Sequence, residues 1–207
     1  LENEISSVLV ALINVYVLLF VLSIIVAVII SNRIMEPLKI LQNKIGSDNI
    51  YFRQRISFIN CDVLPDETHL KTNSTEASHV LNLIKLINSN QNENNPFSVG
   101  IITPFRAQIA FLKSKIDDLK FDSTHLTIDT VERYQGGARD IIIVSLCANK
   151  KPSLKSITSI NKEGIDRKLN VALTRARSQI IILGNKTILE NDQTYKQLIS
   201  RYEVQLD

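Results

Sequence analysis

The chain has 207 residues, 44% of them hydrophobic and 22% charged, and a net charge of +3, which bounds it at one ordinary domain plus an appendage. Residues 1–48 carry Arg33, Lys39 and Lys44 against Glu2, Glu4, Glu36 and Asp48, a net of −1, and the remainder holds 21 basic and 17 acidic residues, a net of +4. That mild excess permits a nucleic-acid partner without arguing for one. Two cysteines, Cys61 and Cys147, sit far apart in apolar runs, and His69, His79 and His125 have no ligand spacing. The pattern offers neither a metal site nor a disulfide framework, and it fits a reducing compartment.

Between Val8 and Ile30 the only polar side chains are Asn14, Tyr16 and Ser23. At roughly 1.5 Å per residue such a helix reaches about 34 Å, enough for a ~30 Å hydrocarbon core. Only a helix satisfies its own backbone in that setting. The acidic flank of Glu2 and Glu4 and the length of the run argue against a cleaved signal peptide. Arg33, Lys39 and Lys44 follow the span, which places its C-terminal side, and everything beyond it, in the cytoplasm. Next come Leu38, Leu41 and Ile45 at helical spacing, with Pro37 suited to the first turn of a new helix. The first residue is Leu1 and the only methionine is Met35, so the reading frame is expected to begin upstream.

From residue 54 short apolar runs alternate with amphipathic stretches. The pattern predicts strands over Arg55–Cys61, Ser98–Thr103, Leu126–Val131, Asp140–Cys147 and Gln179–Leu183. It predicts helices over Thr75–Ile87, Arg106–Leu119, Arg167–Arg177 and Asn191–Tyr202. Polar loops take Asn88–Pro96 and Lys150–Glu163. The near-continuous apolar run Asp140–Cys147 is of the kind buried on both faces. Alternation of this sort predicts an α/β fold, a parallel sheet covered on both sides, with an N-terminal transmembrane helix. The expected domains are residues 1–48 and 49–207.

Chemistry attaches to the connections. Thr103-Pro104 ends a strand and opens a helix whose first turn holds Arg106 and Gln108. Gln135-Gly136-Gly137 lies between two strands, where glycines allow close approach to a ligand or simply a tight turn. Arg175 stands eight residues beyond Arg167, about two helical turns, so both can share a face, and a guanidinium fork suits phosphate. Singly, each has an ordinary structural explanation.

In order, these segments resemble a known family. Val99-Gly100-Ile101-Ile102-Thr103-Pro104-Phe105-Arg106-Ala107-Gln108 is similar to motif IV of superfamily 1 helicases of the up-frameshift type. Ile128-Asp129-Thr130-Val131-Glu132-Arg133-Tyr134-Gln135-Gly136-Gly137-Ala138-Arg139-Asp140 resembles motif V, and Arg167-Lys168-Leu169-Asn170-Val171-Ala172-Leu173-Thr174-Arg175-Ala176-Arg177 resembles motif VI. Asn73 and Glu76-Ala77 fit the family's Asn-x-x-Glu-Ala helix start. The resemblance covers residues 55–205. It implies a RecA-like C-terminal domain that completes an ATP site shared with a first RecA-like domain, which would hold most of the ATP and Mg2+. Within it, Arg175 is implied as the arginine finger, Gln135, Gly136 and Arg175 as nucleotide-binding, and Thr103, Pro104 and Thr130 as neighbours of single-stranded DNA or RNA.

Ala138 stands where the family has a glutamate that helps hold the nucleotide ribose. No Gly-x-x-x-x-Gly-Lys-Ser/Thr occurs in the sequence, so neither phosphate-binding loop nor magnesium carboxylates are expected here, and no other metal ligands. Residues 1–47 resemble the last transmembrane helix and the opening HAMP helix of a bacterial sensor histidine kinase, carried by Arg33, Ile34, Glu36, Pro37, Leu38 and Leu41. The combined expectation is a helicase C-terminal half behind a foreign membrane segment, inactive alone. Its rivals are a membrane signalling protein with a non-catalytic α/β domain, and a tethered accessory domain that completes a partner's ATPase site.

Overall fold

The computed structural model describes residues 2–45, 49–67, 69–90, 96–117, 125–134, 137–161 and 166–205. The chain divides into two compact units, Leu1–Pro37 and Leu38–Asp207.

The first unit is helical, the greater part of α1 (Glu2–Ile45). Leu12–Asn32 is long and apolar enough to cross a membrane, and none of it is buried. Leu18, Phe20 and Ile30 are among the side chains left exposed. Ser23, in the middle of this stretch, donates back to the Phe20 carbonyl at 2.7 Å, so its hydroxyl adds no unpaired donor to the apolar surface.

Pro37 lies inside α1, whereas the sequence suggested the first turn of a separate helix. A proline there removes one i→i−4 hydrogen bond, and the boundary between the units falls at this residue. The second unit therefore begins at Leu38, not at 49. Leu38, Leu41 and Ile45 are buried, and Leu41 and Ile45 join a cluster with Phe52, Ile59, Val80 and Leu83. Gln42 fixes this last stretch of α1 by donating to the carbonyls of Phe52 (2.8 Å) and Arg53 (3.1 Å).

The second unit is built on five parallel strands, β1 (Ile56–Asn60), β2 (Val99–Ile102), β3 (Leu126–Asp129), β4 (Arg139–Ser145) and β5 (Ala176–Gly184), in the order β1-β5-β4-β2-β3. Alternation along the central strands feeds two cores. Ile141, Ile143, Ile181 and Leu183 face α2 (Ser74–Asn90) and α3 (Arg106–Asp117). Ile142, Val144, Ile180 and Ile182 face α5 (Arg167–Thr174) and α7 (Gln193–Tyr202). This is the parallel α/β sheet that the sequence pattern predicts, and it agrees with the RecA-like type that the resemblance implies; β4, apolar on both faces, sits at its middle.

Two expectations need correction. The helix expected over Arg167–Arg177 stops at Thr174, and β5 starts at Ala176, so Arg177 belongs to a strand. Thr174 bonds back to the carbonyls of Asn170 (2.9 Å) and Val171 (3.0 Å), and the Arg175 carbonyl accepts from the Arg139 amide at 2.9 Å, drawing the chain into the sheet. The polar connection after Lys150 is also not bare loop. It contains a 3-10 turn, Lys151–Ser153, and the short α4 (Leu154–Ile157). A further short helix, α6 (Lys186–Leu189), capped by Asn185, was not anticipated.

Candidate functional site

Asp166 starts the element that matters most. Its carboxylate caps α5, accepting from the amides of Lys168 (2.9 Å) and Leu169 (3.3 Å), and also from Ser159 (3.1 Å). Leu169 and Ala172 bury one stripe of α5 against the sheet. Arg167, Lys168, Val171 and Arg175 consequently line a cleft of about 330 Å³, whose opposite wall is Val131, Glu132 and Tyr134 from the turn after β3, with Ser159 completing it. Arg167 and Arg175 do share a face.

Arg175 is the C-cap of α5, with its backbone still in the right-handed helical region. Its Nε is buried and has no hydrogen-bond partner among the described residues. A buried guanidinium donor gains from an acceptor such as an anion oxygen.

The opposite wall is fixed by Thr130, whose carbonyl accepts from Arg133 (3.1 Å) and Tyr134 (2.9 Å). Lys168 bridges the two walls, with an ion pair to Glu132 at 3.1 Å and a hydrogen bond to the Ser156 carbonyl at 2.7 Å. Burial opposes ionisation of Glu132, yet its own amide and Lys168 prevail and hold it below the usual carboxylate range. Burial pushes the Tyr134 phenol up, and the positive charges of Arg139 and Arg175 pull against that shift. Glu132, Tyr134 and Lys168 were not singled out from the sequence.

Thr103 and Pro104, expected at the site, do not line this cleft. Gln135 and Gly136 lie outside the described residues; Gly137 beside them has φ of +93°, which glycine accepts without strain. Thr103 is fully buried beside the Cys147 thiol, and Thr130 is 7% exposed. Neither side chain is displayed to a passing strand, while Pro104 is half-buried at the surface. Thr103 and Thr130 instead mark the C-terminal ends of β2 and β3. Ala138 is half-buried, and its carbonyl faces the Arg139 guanidinium at 3.4 Å.

The Asn73 and Glu76 pair forms a second polar centre, inside the domain. Asn73 Oδ1 accepts from the Glu76 amide (2.8 Å) and so caps α2. The fully buried Glu76 carboxylate accepts from the Ser145 hydroxyl (2.7 Å) and, on both oxygens, from the Cys147 amide (3.0 Å). Gln108 of α3 donates to Ser145 Oγ (3.2 Å) and the Asn73 carbonyl (3.1 Å), and accepts from the Asn73 amide (3.0 Å). Cys147 is held at φ +48°, a conformation that a non-glycine residue rarely takes.

A sequence profile described as an AAA domain matches residues 33–187. This chain belongs to that family. The matched region includes residues 33–47, in keeping with the burial of Leu38, Leu41 and Ile45. Relatives include the DNA polymerase alpha-associated DNA helicase A of Saccharomyces cerevisiae, 40% identical over 94 residues, 45% of this chain and 13% of that protein. Helicase sen1 of Schizosaccharomyces pombe is 33% identical over 135 residues, 61% of this chain and 7% of that one. Regulator of nonsense transcripts 1 of Dictyostelium discoideum is 35% identical over 117 residues, 52% and 8% respectively. The AAA domain of this chain is thus a superfamily 1 helicase domain, the RecA-like C-terminal one, and it spans only a small part of each relative's length.

Proposed function

We propose that residues 38–207 act as the second half of a helicase motor. In this reading they dock on a first RecA-like domain, which these 207 residues do not contain, and offer Arg175 to the charge that develops on the γ-phosphate of ATP. The observation that carries it is the Arg175 Nε, without a hydrogen-bond partner among the described residues, in a cleft also lined by Arg167 and Lys168. The residues fit phosphate oxygens, not a metal. Among the described residues no group of three or more His, Cys, Asp or Glu could hold an ion, and Glu132 is already paired with Lys168. In this reading Mg2+ is held mainly by the first domain. Single-stranded DNA or RNA crosses the C-terminal ends of β2 and β3, near Pro104, meeting backbone more than the buried Thr103 and Thr130 hydroxyls.

The test is additive. The purified chain hydrolyses no ATP above background, and turnover stimulated by single strands arises when residues 38–207 are joined to the first RecA-like domain of a related helicase. Strand-stimulated turnover by the chain alone overturns this reading.

A second reading concerns the first unit. The full exposure of the apolar stretch Leu12–Asn32 favours a membrane anchor, with the α/β unit in the cytoplasm. Alkaline carbonate should leave the whole chain in the membrane pellet and release a chain lacking residues 12–32; release of both overturns it. The sensor version of this reading has weaker support, since Leu38, Leu41 and Ile45 are core residues of the α/β unit.

A further inference from the structure

Asn14 is poorly served by its surroundings in the apolar stretch Leu12–Asn32. None of the stretch is buried, and Asn14 is exposed, with no side-chain hydrogen bond to a described residue. Ser23, by contrast, donates to the Phe20 carbonyl, and the Tyr16 hydroxyl ends a long ring able to reach a wet headgroup zone. An asparagine amide carries two donors and an acceptor on a short stem. Counted from Val8 at about 1.5 Å per residue, it lies roughly 9 Å inside the apolar run. Lipid tails offer it no partner, and membrane helices meet that need by bonding across to a neighbouring helix.

The face that carries Asn14 is also distinct. Val17, Val21, Ile24 and Val28 follow it at alternating steps of three and four residues, the seam along which two helices wind together. All four are exposed and β-branched, each with one strongly preferred χ1 in a helix, so packing costs them little rotamer freedom. The adjacent seam of Val15, Leu18, Leu22, Ile25 and Ile29 includes leucines, which are freer at χ1.

We propose that Asn14 pairs with Asn14 of a second copy of this chain, in a parallel two-helix dimer within the membrane. This rests on the membrane-anchor reading above. Orientation and chemistry select the occupant. The basic residues that follow the span turn the C-terminal side of every copy toward the same side of the membrane. Two copies therefore meet in parallel, with Asn14 at the same depth in each. About a two-fold axis, each amide donates an Nδ2 hydrogen to the Oδ1 of the other, so one residue type supplies both donor and acceptor. A third helix would break that reciprocity, and a single polar residue on such a seam fixes register and partner number. The pairing uses no residue of the Arg175 cleft.

Sedimentation equilibrium of the full chain in dodecylmaltoside micelles, over a range of protein-to-detergent ratios, tests this. The unaltered chain should follow a monomer–dimer equilibrium. Asn14→Val should raise the dissociation constant about fivefold to thirtyfold, the range for one interhelical hydrogen bond in model peptides. Asn14→Gln keeps the amide and should stay close to the parent. Both variants should remain in the carbonate pellet, because neither change shortens the apolar run. A parent chain that is pelleted yet monomeric at every ratio overturns the pairing and leaves the anchor intact. A parent released by carbonate overturns the anchor, and the pairing with it. A trimer, or an Asn14→Val dissociation constant equal to that of the parent, also overturns the proposal.

Discussion

A methyl group on Gly100 would run into the Tyr134 hydroxyl and come within 2.7 Å of Ile142 Cδ1. Gly100 lies in β2, in register with Thr127 on one side and Ile142 on the other, and Tyr134 is 3% exposed. The glycine is required by the ring that walls the cleft. Gly100→Ala should therefore cost about 1–3 kcal/mol, as overpacking of a filled core does, read from urea unfolding. In a Tyr134→Phe background the nearest of these contacts is gone and the penalty should shrink; equal penalties in both backgrounds would refute the assignment.

Glu76 should make stability depend on pH. Burial lifts its pKa from 4.5 to about 7, against the opposing hydrogen bonds from Cys147 and Ser145. The titratable groups facing it are the Cys61 and Cys147 thiols, both pushed up by burial and by Glu76 itself, so they stay neutral. As pH rises above 4.5 the unfolded chain ionises this residue first and binds fewer protons than the folded one. The Glu76 contribution to stability therefore falls between about pH 4.5 and pH 7 and is level above. The expected fall is roughly 3 kcal/mol at 1.36 kcal/mol per unit. Urea unfolding at several pH values measures it, and Glu76→Gln should flatten the difference between the two ends of that window.

The parts of this fold that were legible in the sequence are those governed by neighbours in the chain. The unbroken apolar run of β4 announced a strand buried on both faces, and the eight-residue spacing of Arg167 and Arg175 put them on one wall. What long-range pairing decides was not legible. The end of α5 at Thr174 depends on Arg139, which bonds the Arg175 carbonyl from another strand. Leu38 and Leu41 were read as part of a linker helix, because the partners that bury them come later in the chain. Glu76 fitted a family pattern, but its bonds to Ser145 and Cys147 span 69 and 71 residues and leave no local periodicity.

Asp166 should govern the helix that carries Arg175. One carboxylate oxygen receives two amides of α5 and the Ser159 amide. Asp166→Ala should cost about 1–2 kcal/mol, as loss of an N-cap does, whereas Asp166→Asn keeps an acceptor and should cost far less. Differential scanning calorimetry of the three proteins decides it; if Asn and Ala cost the same, the cap is not what Asp166 contributes.

The last prediction separates the two ways a nucleotide can be held. With residues 38–207 joined to a first RecA-like domain, Arg175→Ala should lower kcat, by up to ~10³-fold or more, and leave KM for ATP nearly unchanged, because a finger meets charge that grows mainly in the transition state. Ala138→Glu should act in the opposite manner. It supplies the carboxylate that similar helicases place near the ribose, a ground-state contact, so KM should fall with kcat held. One hydrogen bond to a charged group is worth about 1.5–3 kcal/mol, roughly a tenfold or larger change in affinity. Ala138 is only half-buried, so the longer side chain has solvent to extend into and should not disturb the start of β4. Steady-state kinetics of both variants against the parent fusion provide the comparison. Should Arg175→Ala raise KM and spare kcat, the cleft would be a binding surface and Arg175 no finger.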